Sequence, residues 1–320
     1  MSKIISEVKS QLNKHLSDTA LNIFAALGFA YVAKKSFCAL SATTCRLWRW
    51  IPKSTKNLAK RYGEGSWALI TGSTDGIGKA FAIALAQRGF NIVIFGRNEE
   101  TLKKVSNLLT SSYGVYVKAI QADFGMCIKP GFFENIYKQT EGLDISILIN
   151  NVGTSKMNLF SQLDKAAIMD MINVNVLALV MLTRQYINDL LKRPQRSAII
   201  NLSSVAVGMN KPGLSVYAPA KACVDYLSEN MTIEYKDKID VLSVHPHAVY
   251  TPLYQAVGGT MNYCVVTPEQ CAEGSLSWLG RGSYYTYGAP KHEIIGYFTE
   301  NSDLYASHVI SLFKPPKVIN

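Results

Sequence analysis

Tyr217 and Lys221 stand four residues apart and are of the types that can deliver a proton to a carbonyl oxygen. On a helix, residues i and i+4 share a face. A tyrosine hydroxyl ionises near pH 10, and a cation one turn away favours the phenolate and lowers that value. Tyr217 would then serve as general acid for the alkoxide formed when a ketone accepts hydride. The pattern is weak by itself, because 17 Tyr in a Lys-rich chain produce it by chance on solvated helices. Pro219 falls between the two residues and fits only a first helical turn, so the helix must begin within about three residues of Tyr217. Ser204 lies 13 residues before Tyr217, just beyond the apolar stretch Arg196 to Leu202. It is the second of two serines, and Ser203 reads as its structural neighbour.

A second chemical feature is the glycine-rich run from Gly72 to Gly78, with Ser73, Gly76 and Ile77 inside it. It follows the short apolar run Trp67 to Thr71 and precedes a helical pattern, Lys79 to Arg88, closed by Gly89. Strand, turn and helix in that order make a pyrophosphate cradle. Glycine lets the backbone turn sharply and approach the anion, and the N–H groups at the helix start hold it. The spacing is G-x-x-x-G-x-G, not the G-x-G-x-x-G of the common dinucleotide fingerprint. The next strand, Asn91 to Phe95, ends in Gly96-Arg97. An acid at this point would take the adenosine ribose of NAD, whereas Arg97 would meet a 2′-phosphate and favour NADP(H). An ordinary solvated arginine is the plain alternative.

Positioning these residues takes a framework of alternating elements. Further strands are expected at Val115–Ala122, ahead of Asp123, and at Ile145–Ile149, ahead of Asn150-Asn151-Val152-Gly153. Helices are expected at Glu99–Ser112, Pro130–Thr140 and Asp164–Leu191. This alternation predicts an α/β fold, a Rossmann-like doubly wound parallel sheet with helices on both faces. With 48% hydrophobic and 18% charged residues among 320, the chain can bury a full core. Its six cysteines form no C-x-x-C, so a structural zinc site is not expected, no metal is called for, and a reducing compartment is the default.

The net charge of +10 raises the question of nucleic acid, and its distribution answers it. Residues 1–61 hold eleven Lys/Arg against two acids, while residues 62–320 hold 22 against 21. The folded body lacks the basic face that nucleic-acid binding needs. The basic segment contains the apolar run Ala20 to Ala33, then Lys34-Lys35, then a stretch with Trp48 and Trp50 among Arg46 and Arg49. Fourteen residues span about 21 Å as helix, short of a hydrocarbon core of about 30 Å. Tryptophan beside arginine suits a membrane interface. Residues 1–61 are therefore expected to be a membrane anchor, spanning, re-entrant or interfacial, and a helix buried on the body is the plainer alternative. The heavier positive flank after the run puts the body in the cytosol. A cleaved signal peptide fits poorly, because Ala39-Leu40-Ser41 is a weak cut site. The sequons at Asn201 and Asn230 fall in expected core elements and read as accidental.

The glycine turn, Asp123, N-N-x-G, Asn175, Ser204, Tyr217 and Lys221 occur in this order, and over about residues 62 to 290 the chain resembles the short-chain dehydrogenase/reductases. The resemblance implies that Tyr217 is the proton donor and that Lys221 lowers its pKa and binds the nicotinamide ribose. It implies that Ser204 binds the substrate carbonyl, and that Asn175, rather than Asn173, holds a water of the proton relay. It assigns the pyrophosphate cradle to the 72–78 turn, adenine to Asp123 and the adenosine side to Asn151. The family usually has Pro-Gly after its sixth strand. Here Pro246-His247-Ala248-Val249-Tyr250-Thr251 stands instead, and Thr251 with the backbone of Val249 is expected at the nicotinamide carboxamide. His247 is not expected to be catalytic, since the Tyr/Lys pair already supplies the acid.

Lys60-Arg61-Tyr62-Gly63, Ser66-Trp67-Ala68 and the Val152 of N-N-V-G resemble a narrower group, the very-long-chain 3-oxoacyl-CoA reductases and 17β-hydroxysteroid dehydrogenases of types 3 and 12. That group implies NADPH, a lipophilic keto substrate (acyl-CoA or steroid) and the endoplasmic-reticulum membrane. The catalytic domain is expected at residues 62–300 with a tail at 301–320, where Lys314 to Asn320 departs from the basic tail of that group. Family membership further implies a homodimer through the 164–191 and 217–235 helices. A catalytically silent homologue acting as a membrane scaffold is the remaining alternative, and such homologues often lack the tyrosine that is present here. Met261 to Val266 lies in the expected substrate loop, but its sequence does not name a substrate.

Overall fold

The computed structural model describes residues 6–7, 18–50, 57–208 and 211–301. The chain divides into two units, Met1–Thr55 and Lys56–Asn320. In the first, helix α1 runs unbroken over Asp18–Trp50, 33 residues, or about 50 Å at 1.5 Å per residue. It absorbs both the apolar run and the Trp/Arg stretch, which the sequence reading had treated as successive segments, because no proline interrupts them. Ile23, Phe24, Leu27, Phe29, Tyr31 and Val32 on it are exposed. The expected tail at 301–320 lies, apart from its first residue, outside the described residues.

The second unit begins a few residues before the boundary drawn from charge. Helix α2, Leu58–Tyr62, is capped by Asn57 and buries Leu58 and Tyr62. Arg61 Nε donates to Asp240 at 2.6 Å, and Tyr62 OH to the same carboxylate at 2.8 Å. Lys60 and Arg61 therefore belong to this unit, and residues 1–55 retain eight Lys/Arg against two acids.

The sheet has seven strands: β1 Trp67–Ile70, β2 Asn91–Gly96, β3 Val117–Gln121, β4 Ile145–Asn150, β5 Ser197–Leu202, β6 Ile239–Val244 and β7 Tyr285–Thr286. Their order is β3-β2-β1-β4-β5-β6-β7, with every pairing parallel. Alternate side chains leave opposite faces. Ile70, Ile94, Ile147 and Ile149 join one core, and Leu69, Val93, Leu148 and Ile199 the other. Two buried faces explain why the strands read as continuous apolar runs. The two-residue β7 carries no such run, and sequence patterning did not place it.

The crossover helices are α3 Gly76–Ala86, α4 Glu99–Tyr113, α5 Phe132–Thr140, α6 Lys165–Ile172 leading through a π turn into α7 Ala178–Lys192, and α8 Tyr217–Glu234. Three short ones follow: α9 Pro252–Ala256, α10 Pro268–Trp278 and α11 Pro290–Asn301. α5 begins at Phe132 rather than Pro130 because Gly131, at φ 77°, caps it. The expected 164–191 helix widens at Asn173–Leu177. Among the described residues, 165–192 is the one helical stretch long and apolar enough to cross a membrane. Its Leu182, Tyr186 and Leu190 are packed in the second core, so its apolar character is that of a core helix. The order in which strands are added reverses between β1 and β4, and the crevice at that switch point is where ligands of open α/β sheets bind.

Candidate active site

Beyond the carboxyl ends of the strands lies one cavity of about 530 Å³, within the usual range for small-molecule sites of roughly 300–1,000 Å³. Gly72, Gly76, Ile77, Arg97, Asp123, Asn151, Tyr217, Lys221 and Thr251 all line it. Residues spread over 180 positions of sequence are thus brought to one surface by the ends of β1, β2, β3, β4 and β5 and the loop after β6.

The glycine turn is built for close approach. Gly72 and Gly76 adopt φ of 62° and 52°, which L side chains rarely take. A Cβ on Gly78 would lie 2.3 Å from the Gly72 carbonyl and 2.4 Å from Asn151 Nδ2. A Cβ on Gly76 would lie 3.1 Å from Thr251 Cγ2. Asn151 Nδ2 donates to the carbonyls of Thr71 and Gly72 at 2.9 and 3.1 Å. Thr71 Oγ1 in turn accepts from the N–H groups of Asn151 and Val152. The β1 and β4 loops are therefore stitched together at the switch point. This bracing role for Thr71 was not read from the sequence, because it depends on which strand neighbours β1.

Three expected cofactor contacts, Ser73, Gly78 and Val249, do not line the cavity, nor do Ser204 and Asn175. Ser73 is fully buried, its Oγ accepts from Phe95 N at 2.9 Å and its N–H donates to Phe95 O at 3.1 Å. With both groups engaged on β2, it does not line the cavity and serves to pin the turn. Val249 is likewise buried and off the cavity wall, where it bridges to Val266 and accepts from Thr251 Oγ1 at 3.3 Å. Thr251 itself lines the cavity and caps α9 by accepting from Tyr254 N.

At the other end, α8 starts at Tyr217, so Pro219 falls in its first turn as required. Tyr217 hydrogen-bonds Ser204. Lys221 Nζ donates to Leu202 O at 2.7 Å and lies 5.7 Å from the centre of the Tyr217 ring. Burial holds the Lys221 ammonium down, to about 8. Burial also pushes the Tyr217 hydroxyl above its ordinary value, against the opposing pull of the Ser204 hydrogen bond. Ser203 has more than a spectator's place: it lines the cavity and its Oγ donates to Lys221 O at 2.9 Å.

Asn175 is buried in the π turn, where Nδ2 donates to Met171 O, four residues back, and to Thr154 O, at 2.9 and 2.8 Å. Taking the i−4 carbonyl with a side chain accompanies the local widening of the helix. A Cβ on Gly153 would be 3.1 Å from Asn175 Oδ1 and 3.4 Å from Lys221 Nζ, so both groups reach one corner behind Tyr217. Asn173 faces the other way, towards Gly125 O. His247 is off the cavity wall and pressed against Tyr287 and His292, and burial with its histidine neighbours lowers it to about 3.

The short chain dehydrogenase family matches residues 66–262. A very-long-chain 3-oxoacyl-CoA reductase of Anas platyrhynchos is 37% identical over 245 residues, 73% of this chain and 75% of its own length. A hydroxysteroid dehydrogenase-like protein 1 of Gallus gallus is 35% identical over 243 residues, 74% and 72% of the two chains. Among solved structures, one from work on 7β-hydroxysteroid dehydrogenase stereoselectivity superposes with a TM-score of 0.70 at 26% identity, covering 80% of this chain and 99% of that one. A short-chain dehydrogenase from Sphingobium yanoikuyae in complex with NADPH gives 0.66 at 26% identity, covering 78% and 96%. A glycine turn that a Cβ would crowd and the Tyr217–Lys221 pair line one cavity in this chain, with Ser204 bonded to Tyr217. The chain therefore belongs to the short-chain dehydrogenase/reductase family and is an oxidoreductase that uses a nicotinamide cofactor.

Proposed function

We propose that the chain reduces the keto group of a lipid with NADPH, most specifically a 3-oxoacyl-CoA to the 3-hydroxyacyl-CoA, at an endoplasmic-reticulum membrane with its catalytic unit in the cytosol. The observation that carries the reading is the Tyr217 and Lys221 pair, with Ser204 bonded to Tyr217, at one end of the cavity that the glycine turn closes at the other. Gly72, Gly76 and the N-terminus of α3 would hold the pyrophosphate, Asp123 and Asn151 the adenosine side, and Thr251 and Lys221 the nicotinamide half. When bound there, the reduced cofactor supplies the hydride. Ser204 donates to the substrate carbonyl and orients it. Tyr217 gives its proton to the developing oxyanion, and Lys221 offsets the charge left on the phenol. Ketone, NADPH and one proton go to a secondary alcohol and NADP⁺. Asn175 braces this corner and keeps one lone pair of Oδ1 for a water of the relay.

Arg97 supports NADP(H) over NAD(H), since it is exposed on the cavity wall next to Gly96 and has no carboxylate beside it at the β2 end. Arg97→Asp is expected to lower kcat/KM for NADPH at least tenfold and to raise it for NADH; equal use of both cofactors by the wild type contradicts the assignment. The exposed apolar side chains of α1 support a membrane anchor, and the family supports a homodimer. The acyl-CoA reading draws on the reductase relatives. The ketosteroid alternative draws on the hydroxysteroid dehydrogenase relatives and uses the same residues. Full-length protein in detergent, assayed for NADPH consumption against 3-oxoacyl-CoA and a 17-ketosteroid, separates them. Higher kcat/KM on the acyl-CoA is expected, and the reverse selects the steroid. No turnover on any ketone, with Tyr217→Phe unchanged, would point to a silent scaffold.

A further inference from the structure

After β6 the chain passes Pro246 on the cavity wall, then His247, and reaches α9, whose Pro252, Leu253 and Ala256 also line the cavity. The segment 257–264 continues directly from that helix and carries exposed apolar side chains at Val257, Met261 and Tyr263. It returns to the body through the Val249–Val266 bridge. Two side chains from the first turn of α11 hold its far end. Lys291 Nζ donates to Tyr263 O at 2.7 Å and sits 4.6 Å from that tyrosine's ring centre. His292 Nε2 lies 3.2 Å from Cys264 O. A carbonyl can only accept, so the neutral ring carries its proton on Nε2. His292 is completely buried, its Nδ1 has no hydrogen-bond partner, and its ring centre is 5.2 Å from that of His247, whose Nε2 also has none. Backbone groups of Tyr287 and Ala248 also hold the ring, so the bond to Cys264 joins the end of the segment to the chain after β6.

We propose that His292 is a positioning residue for the ketone substrate. Its bond to the Cys264 carbonyl fixes the 257–264 segment as the continuation of the α9 wall, and its packing on His247 ties that segment to the chain just after Pro246. This rests on the reading that the cavity reduces a lipid ketone, and it places the length-sensitive part of substrate binding on this segment. The reacting groups, on β5 and α8, are untouched.

The test compares wild type, His292→Leu and His292→Gln, with 3-oxoacyl-CoA of short and long chain, and with NADPH binding followed by its fluorescence. His292→Leu is expected to raise KM for the long substrate roughly five- to tenfold, the factor expected for one net hydrogen bond, while kcat and NADPH affinity stay within about twofold. His292→Gln, whose amide nitrogen can reach the same carbonyl, is expected to restore most of the loss. An equal fall in kcat for both substrates, a matching loss of NADPH affinity, or no rescue by glutamine would overturn the proposal. Should His292→Leu not fold, Lys291→Met removes the neighbouring bond to Tyr263 O and is expected to raise the same KM. Amide hydrogen exchange reads the segment without any substrate. Faster exchange confined to 257–266 in His292→Leu, restored in His292→Gln, is expected even if no ketone is turned over, in which case the reductase reading alone fails. Unchanged exchange there overturns the clamp itself.

Discussion

Burial acts on Tyr217 and Lys221 so that both sit away from their solution ionisation, the phenol upward and the ammonium downward to about 8. Near neutral pH, Tyr217 therefore holds the proton that reduction must deliver, and Lys221 still carries most of its charge. Above about 8 that charge is lost, and the Ser204 hydrogen bond alone then favours a phenolate. The pH dependence of kcat/KM with NADPH as the varied substrate reports groups of the cofactor-free protein. It is expected to be level below about 8 and to fall above it; a profile level to pH 10 would contradict this ionisation. The Tyr217–Lys221 pair on one face of α8 was legible in sequence because proton transfer restricts the side chains to a few types at helical spacing. Ser73 is off the cavity wall with its hydroxyl and N–H engaged on Phe95, and Val249 pairs beside Val266, placements that depend on neighbours only the folded sheet supplies.

At the scale of elements, the glycine turn is fixed by backbone contact. A methyl at Gly78 would meet the Gly72 carbonyl oxygen at 2.3 Å, and that oxygen belongs to the turn itself. Gly78→Ala is expected to lower NADPH affinity more than tenfold and to destabilise the protein by about 1–3 kcal/mol, the usual range for forced overpacking. Fluorescence titration and denaturant unfolding check both, and wild-type affinity in a stable variant would remove the close-approach argument. Pro219 located the start of α8 from sequence alone because proline tolerates only a first turn. The π turn at Asn173–Leu177 was not legible, since it accompanies an Asn175 side chain drawn to both Met171 and Thr154, and Thr154 lies 21 positions away. β7 stayed hidden for a similar reason: two residues, Tyr285 and Thr286, extend an existing edge without an apolar pattern of their own.

Across the whole molecule, the excess of positive charge is divided between the units more evenly than the sequence count suggested. Arg61 belongs to the catalytic unit, where it and Arg196 converge on Asp240, which also accepts from Tyr62. These bonds fasten α2 and the approach to β5 onto β6. The carboxyl of Asp240 is 11% exposed and is held below its ordinary range despite burial, by hydrogen bonds from Arg61, Tyr62 and Arg196. Asp240→Asn leaves two guanidinium groups without their counter-charge and is expected to cost about 3 kcal/mol, read by denaturant unfolding. A loss below about 0.5 kcal/mol would mean the network is as weak as a surface pair. The fold class and the cavity wall followed from strand runs, turn glycines and residue order. The unit boundary did not, because Lys60 and Arg61 read as part of a basic leader until their partner on β6 is known.

The proposed reaction requires Tyr217 to protonate a lipid ketone reduced in this cavity. The direct measurement is NADPH oxidation by full-length protein in detergent with a long-chain 3-oxoacyl-CoA, for wild type and Tyr217→Phe, beside NADPH binding to each. Wild-type turnover, a loss of at least about a hundredfold in kcat for Tyr217→Phe, in keeping with removal of a general acid, and NADPH affinity unchanged within about twofold are predicted. Equal turnover by the two proteins would contradict the claim.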